Sequence, residues 1–211
     1  MKTVKIKVCG MRNAVNIAEV AMLEPDYMGF VFYDRSPRYA VELNHTVLGI
    51  LSPKTLSVGV FVNAKPEHIV GMAEHYRFGA LQLHGDESPE YCAELKAGCT
   101  CEIIKAFGIK SGEDFASALD YEHVCDYFLF DTKTELRGGS GDKFDHSLLA
   151  SYRGKTPFFL SGGITPADAE NIRANLHPLC IGVDINSGFE ILPGLKDVER
   201  IKKFIEFFRT E

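Results

Sequence analysis

The run Val4-Lys5-Ile6-Lys7-Val8-Cys9-Gly10 sets the reading of the whole chain. β-Branched residues alternate with lysines until a cysteine and a glycine. Met11-Arg12-Asn13 then leads into the apolar spacing Val15, Ala18, Ala21 and Met22. A short strand that ends on a reactive side chain and turns into a helix is the unit of a β/α fold. Seven further strand-like runs follow, at 27–32, 56–62, 80–83, 101–107, 127–130, 157–160 and 180–184. Helix start signals lie between them: Asn13, Pro66-Glu67, Ser88-Pro89-Glu90, Ser111-Gly112-Glu113-Asp114, Asp145, Thr165-Pro166-Ala167-Asp168 and Asp197. A weaker helical pattern covers 42–51.

Eight strand–helix units in 211 residues predict an α/β fold, a single (β/α)8 TIM barrel over 1–211. A doubly wound open sheet is the alternative, but that fold usually carries a phosphate fingerprint after its first strand, and Cys9-Gly10-Met11-Arg12-Asn13 is not one. No composition shift marks a domain boundary.

A net charge of -6 argues against nucleic acid, whose phosphates demand clustered Lys and Arg. No apolar run approaches the ~20 residues of a membrane span, and no leader pattern opens the chain. Six cysteines, at 9, 92, 99, 101, 125 and 180, follow no disulfide-scaffold spacing. They read as reduced thiols of a cytoplasmic protein. Cys99 and Cys101 lack the partners of a zinc site. No His-x-His or His-x-Asp pair ends a strand, which disfavours a metal-dependent sugar-phosphate epimerase.

In a barrel the chemistry collects at the carboxyl ends of the strands. Strand alternation puts Lys5, Lys7 and Cys9 on one face, then Tyr127, Leu129 and Asp131, and Gly182 and Asp184. By the same reasoning Ala80, Gln82 and His84, and Ile103, Lys105 and Phe107, are expected to face the lumen. Val58, Val60 and Val62 are expected to face the helices. The inner polar set is then Cys9, His84, Lys105, Asp131 and Asp184. A thiol with carboxylates at strand ends suits proton transfer, and Lys7 could raise the thiolate fraction. Cys9 can equally be a small buried hydrophobe, and Asp131 a structural acceptor. Lys105 admits a Schiff-base lyase.

Ser161-Gly162-Gly163 and Asn186-Ser187-Gly188 follow strands seven and eight, where such barrels bind phosphate. Gly139-Ser140-Gly141 adds a third glycine turn in the long 132–143 connection, which is read as a mobile lid or as an ordinary surface loop. Phe189-Glu190 is a candidate short extra helix. Arg38, in Arg35-Ser36-Pro37-Arg38-Tyr39, is either a fork for a carboxylate or a solvated arginine.

Taken together, the motifs resemble the phosphoribosylanthranilate isomerases of tryptophan biosynthesis. They are Lys7-Val8-Cys9-Gly10-Met11, Gly29-Phe30-Val31-Phe32, Ser36-Pro37-Arg38, Gly59-Val60-Phe61-Val62-Asn63, Gln82-Leu83-His84-Gly85, Phe130-Asp131-Thr132-Lys133, Gly138-Gly139-Ser140-Gly141, Leu160-Ser161-Gly162-Gly163-Ile164 and Asp184-Ile185-Asn186-Ser187-Gly188-Phe189-Glu190. They run in the family's order over nearly the whole chain. Asn186 stands where the family commonly carries serine.

The resemblance implies a barrel without cofactor or metal and a small phosphorylated substrate, N-(5-phosphoribosyl)anthranilate. The implied reaction is an Amadori rearrangement to 1-(2-carboxyphenylamino)-1-deoxyribulose 5-phosphate. It implies Asp131 as general acid and Cys9 as general base. Arg38 is implied on the anthranilate carboxylate, Asp184 near its amine, and His84 as a further substrate contact. The backbones of Gly139, Ser140, Gly141, Gly162, Gly163, Ser187 and Gly188 are implied around the phosphate. A monomer is expected, with a homodimer as the alternative. A phosphate-ligand binding module without catalysis is the third reading.

Overall fold

The computed structural model describes residues 3–41, 43–132 and 145–210. Eight parallel strands close a barrel in chain order: β1 (Lys5–Val8), β2 (Tyr27–Val31), β3 (Leu56–Phe61), β4 (Ala80–Leu83), β5 (Glu102–Ile109), β6 (Tyr127–Thr132), β7 (Phe158–Leu160) and β8 (Cys180–Ile185). The closing pair is β8 with β1, where Lys7 stands beside Asp184 and Val8 beside Ile185. That closure rules out the open sheet.

The helical layer contains α1 (Ala14–Ala21), α2 (Pro66–Tyr76), α3 (Pro89–Gly98), α4 (Ala169–Ala174) and α5 (Val198–Arg209). Side chains cap α1, α3 and α5, the 3-10 turn Pro166–Asp168 leads into α4, and α2 opens on Pro66 with no side-chain cap. Asn13 accepts from the Asn16 N–H, Ser88 from Tyr91 and Asp197 from Arg200. Thr165 and Asp168 form a reciprocal capping box. Three expected helices are wound instead as 3-10 turns, at His45–Ile50, Gly112–Tyr121 and His146–Ser151. They bury no residue, Phe115 and Ala118, and Leu149 respectively. Helix α5 is the opposite case. It buries Ile201, Phe204, Ile205 and Phe208 at helical spacing, and its Phe204 ring meets Phe189 edge-on at 4.9 Å.

Two apolar clusters fill the molecule, one between barrel and helices and one in the lumen. The lumen cluster holds Cys9, Tyr27, Val31, Val58, Val60, Ala80, Ile104, Ala106, Leu129 and Phe159. The strand-three and strand-five expectations are therefore inverted. Val58 and Val60 face the lumen, while Ile103 packs in the outer cluster with Phe107 against it. Lys105 is likewise out of register with the lumen row. Parallel register forces this result. Val58 stands beside Ala80, Val60 beside Gln82, and Gln82 beside Ile104, so all share one face. An eight-stranded barrel fills its interior with branched side chains, so an apolar row does not imply an outward row.

The floor of the lumen is a plug of larger groups. Tyr27 and Tyr127 meet Phe159 edge-on, and the Tyr27 hydroxyl donates to Glu102 at 3.1 Å. Lys5 lies over both tyrosine rings.

Candidate active site

Above that plug, β1 and β8 present a buried charged wall. Lys7 is fully buried, and its Nζ donates to Asp184 Oδ1 at 2.9 Å. Cys9, one pleat higher, is 4% exposed. Room for both comes from Gly29 on β2. A Cβ there would stand 2.8 Å from Cys9 Sγ and 3.3 Å from Lys7 Nζ. Burial pushes the Cys9 thiol above its ordinary range, and the Lys7 ammonium opposes that push without overcoming it. Burial likewise acts to lower Lys7, but the negative forms of Asp184 and Cys9 prevail and Lys7 stays firmly protonated. The sequence left open whether Lys7 tunes the thiol or bridges carboxylates. It pairs with one carboxylate, Asp184, at its own level of the barrel, and its charge opposes the effect of burial on the thiol.

Across the lumen, Asp131 ends β6, with side chains there more open to solvent. Its Oδ2 lies 3.5 Å from His84 Nε2, and the two side chains are 18% and 21% exposed. The Thr132 N–H donates to Asp131 Oδ1 at 2.8 Å. Gln82 Nε2 sits 2.9 Å from His84 Nδ1. With the amide so placed, Gln82 donates to Nδ1, and the ring proton on Nε2 faces Asp131. Gln82 Oε1 is then buried without a hydrogen-bond partner among the described residues. Strand register puts Asp184 on the lumen row of β8, Asp131 on that of β6 and His84 just past that of β4, so the two walls face the same barrel lumen.

Lys105 is not part of that cavity. It is 2% exposed, and its Nζ lies 3.2 Å from Glu87 Oε2. The same ammonium donates to the carbonyls of Gly85, Ala106 and Leu83. Glu87 in turn accepts from the N–H groups of Asn63 and Gly85. An amine so occupied does not meet a carbonyl substrate. The pair instead fixes the loop that carries His84.

Arg38 is buried, not solvated. Its Nε and Nη2 form a fork with Glu190, with contacts of 2.9, 3.2 and 2.6 Å. Glu190 begins a short hairpin, β9 (Glu190–Leu192) and β10 (Leu195–Lys196), that the sequence reading missed. The expected extra helix is only the 3-10 turn Ser187–Phe189 just before it. Pro193-Gly194, with Gly194 at φ 80, was the legible hairpin signal. Lys196 also went unnoticed. It is 1% exposed and bonds Glu190 Oε1 at 2.8 Å and Asn186 Oδ1 at 2.6 Å. Gly10, at φ 78, keeps this cluster close to Cys9. A Cβ on it would stand 2.7 Å from both Arg38 Cδ and Asn186 Oδ1.

The glycine turns after β7 and β8 come together. Gly162 and Gly163 have φ 96 and 61, and a Cβ on Gly188 would overlap the Ile164 carbonyl oxygen. Phe189, seated against Phe204, fixes the second turn from behind. Gly139, Ser140 and Gly141, with the rest of the expected lid at 133–143, lie outside the described residues.

A barrel with a thiol and carboxylates at strand ends and paired glycine turns at β7 and β8 has recognisable relatives. The family model described as N-(5'phosphoribosyl)anthranilate (PRA) isomerase matches residues 6–207. The chain belongs to this family. An N-(5'-phosphoribosyl)anthranilate isomerase of Parabacteroides distasonis is 52% identical over 206 residues, covering 95% of this chain and 91% of the relative. The crystal structure of the phosphoribosyl anthranilate isomerase of Thermotoga maritima is 38% identical, with a TM-score of 0.85 and 98% of each chain covered. A phosphoribosyl anthranilate isomerase crystallised with reduced 1-(o-carboxyphenylamino)-1-deoxyribulose 5-phosphate is 34% identical, with a TM-score of 0.81 and 98% of each chain covered.

Proposed function

We propose that this isomerase-family chain converts N-(5-phosphoribosyl)anthranilate to 1-(2-carboxyphenylamino)-1-deoxyribulose 5-phosphate, a step of tryptophan biosynthesis. The observation that carries the reading is the facing pair of walls: a thiol beside a buried ammonium on one, a partly exposed carboxyl on the other. The rearrangement needs one proton delivered and one removed. Asp131 protonates the furanose ring oxygen, and the ring opens to a Schiff base between C1 and the anthranilate nitrogen. Cys9 then takes the C2 proton, giving an enolamine that tautomerises to the ketone. Each such group contributes typically ~10²–10⁴-fold.

Lys7 is placed to balance the thiolate charge during that transfer. His84 holds the substrate face of Asp131, and Asp184 lies on the side of the amine. The glycine backbones of Gly162, Gly163, Ser187 and Gly188 take the phosphate, with Gly139, Ser140 and Gly141 as further candidates. Arg38 takes the carboxylate with the guanidinium edge that Glu190 leaves open. No step draws on a cofactor. Among the described residues no helix is long and apolar enough to cross a membrane; a cytoplasmic site of action is part of the proposal. A monomer is the proposed state, although the Thermotoga maritima relative is described as a dimeric enzyme from which monomers were generated.

Complementation tests the proposal. The wild-type chain is expected to restore growth of a tryptophan auxotroph lacking this isomerase, and Cys9→Ala is expected not to. Failure by the wild-type chain, when it is expressed and folded, contradicts the assignment.

A further inference from the structure

Among the described residues, three cations and two carboxylates are buried side by side behind the mouth of the barrel. Lys7 answers Asp184, and Arg38 answers Glu190. Lys196 is the cation left over, and it too bonds Glu190. Nothing in a barrel scaffold calls for a buried, unbalanced lysine at this place, because an unpaired buried charge is costly.

The geometry points to its use. Arg38 and Glu190 alone would form a closed, neutral fork with little attraction for a further anion. Lys196 shares Glu190 Oε1 with Arg38 Nε, at 2.8 and 2.9 Å, so one carboxylate is divided between two cations. Asn186 Oδ1 and the Gly194 N–H hold the same cluster in place, the first on Lys196 and the second on Glu190. With Lys196 protonated, Arg38, Glu190 and Lys196 together carry one net positive charge. The Arg38 side chain packs against Gly10, the residue after Cys9 in the chain.

We propose that Lys196 is a positioning residue for substrate selection: by neutralising Glu190 it leaves the Arg38 charge available for the carboxylate of an arylamine ligand. The inference rests on the Arg38 reading given above. It also gives Asn186 a role, because its side-chain carbonyl accepts from the lysine at 2.6 Å. Burial is the strongest influence and, with Arg38, pulls the Lys196 pKa below its ordinary value, although Glu190 and Cys9 favour the charge. A bound carboxylate adds to the favouring side.

The test compares two ligands by calorimetry. One is reduced 1-(o-carboxyphenylamino)-1-deoxyribulose 5-phosphate. The other is its phenylamino counterpart without the carboxyl group. The ratio of their dissociation constants measures carboxylate discrimination. In K196M this ratio is expected to fall about tenfold or more, with the carboxyl-free ligand almost unaffected. In the double variant K196M/E190Q the ratio is expected to return to within about threefold of wild type, because the charge needing neutralisation is gone. A purely structural lysine would show no such rescue. If K196M alone does not fold, the double variant decides by itself. A near-wild-type ratio supports the inference, and a tenfold loss overturns it. Discrimination that survives intact in a folded K196M also overturns it. A wild-type chain that does not discriminate would overturn the Arg38 reading and this inference with it.

Discussion

The two walls of the candidate site are built to opposite rules. On the β1–β8 side, Lys7, Cys9 and Asp184 are at most 6% exposed, and every charge there has a partner within hydrogen-bond distance. On the β4–β6 side, His84 and Asp131 are about a fifth exposed and meet at 3.5 Å, too long for a firm hydrogen bond. The dry wall is pre-set, and a charge change there must be answered by a neighbour already in place. The wet wall can change protonation with water nearby. A base that must be a thiolate before it takes a proton belongs on the first, beside a fixed ammonium. An acid that must recover a proton after each turnover belongs on the second.

The largest test of this contrast is loss of either reacting group. Cys9→Ala and Asp131→Asn are each expected to lower kcat by ~10²–10⁴-fold while ligand affinity changes little. Near-normal turnover in both would break the assignment.

Next comes the dry wall's own dependence on pairing. Lys7→Met leaves Asp184 buried without its cation, which typically costs about 3–5 kcal/mol, measured by urea unfolding at neutral pH. The loss should shrink in acid. Without Lys7, burial raises the folded-state Asp184 pKa further above its unfolded value. The folded chain then keeps a proton that the unfolded chain releases, and stability falls as pH rises above about 4. A loss that is constant from pH 4 to pH 7 would argue against an uncompensated carboxylate.

Gly188→Ala should have a smaller effect, about 1–3 kcal/mol, because the new methyl must push the Ile164 carbonyl away. Its signature is weaker binding of inorganic phosphate, since the two glycine turns are forced apart. Unchanged phosphate affinity would remove those turns from the site.

The smallest predicted signal is spectroscopic. The 240 nm thiolate absorbance of wild type minus Cys9→Ala should appear only above the ordinary ~8.5 of a free thiol, because burial raises the Cys9 pKa. A midpoint at or below that value would mean that Lys7 outweighs burial.

How legible all this was from sequence differs between the same two regions. Strand ends and caps announced themselves locally. Cys9 and Asp131 close runs of alternating apolar residues, and Asn13, Ser88, Thr165 and Asp197 cap where their side chains predict. Which face of a strand looks inward is not local. Alternation groups Ile103 with Lys105 and Phe107, but only the register with β4 decides that this row turns toward the helices. That is why Lys105 looked like a lumen amine. The buried cluster of Arg38, Glu190 and Lys196 was harder still. Its members come from a loop and both strands of a small hairpin, joined across 152 positions by one fork. No periodicity connects such residues, and the Pro193-Gly194 turn was the single local hint.

The division of labour between the walls can be tested directly with substrate carrying deuterium at C2 of the ribose. If Cys9 removes that proton, residual turnover by Cys9→Ala is limited by C2–H cleavage and slows severalfold on deuteration. Residual turnover by Asp131→Asn is limited by ring opening, so it is insensitive to the label. The reverse pattern, with the isotope slowing Asp131→Asn and sparing Cys9→Ala, would contradict the account.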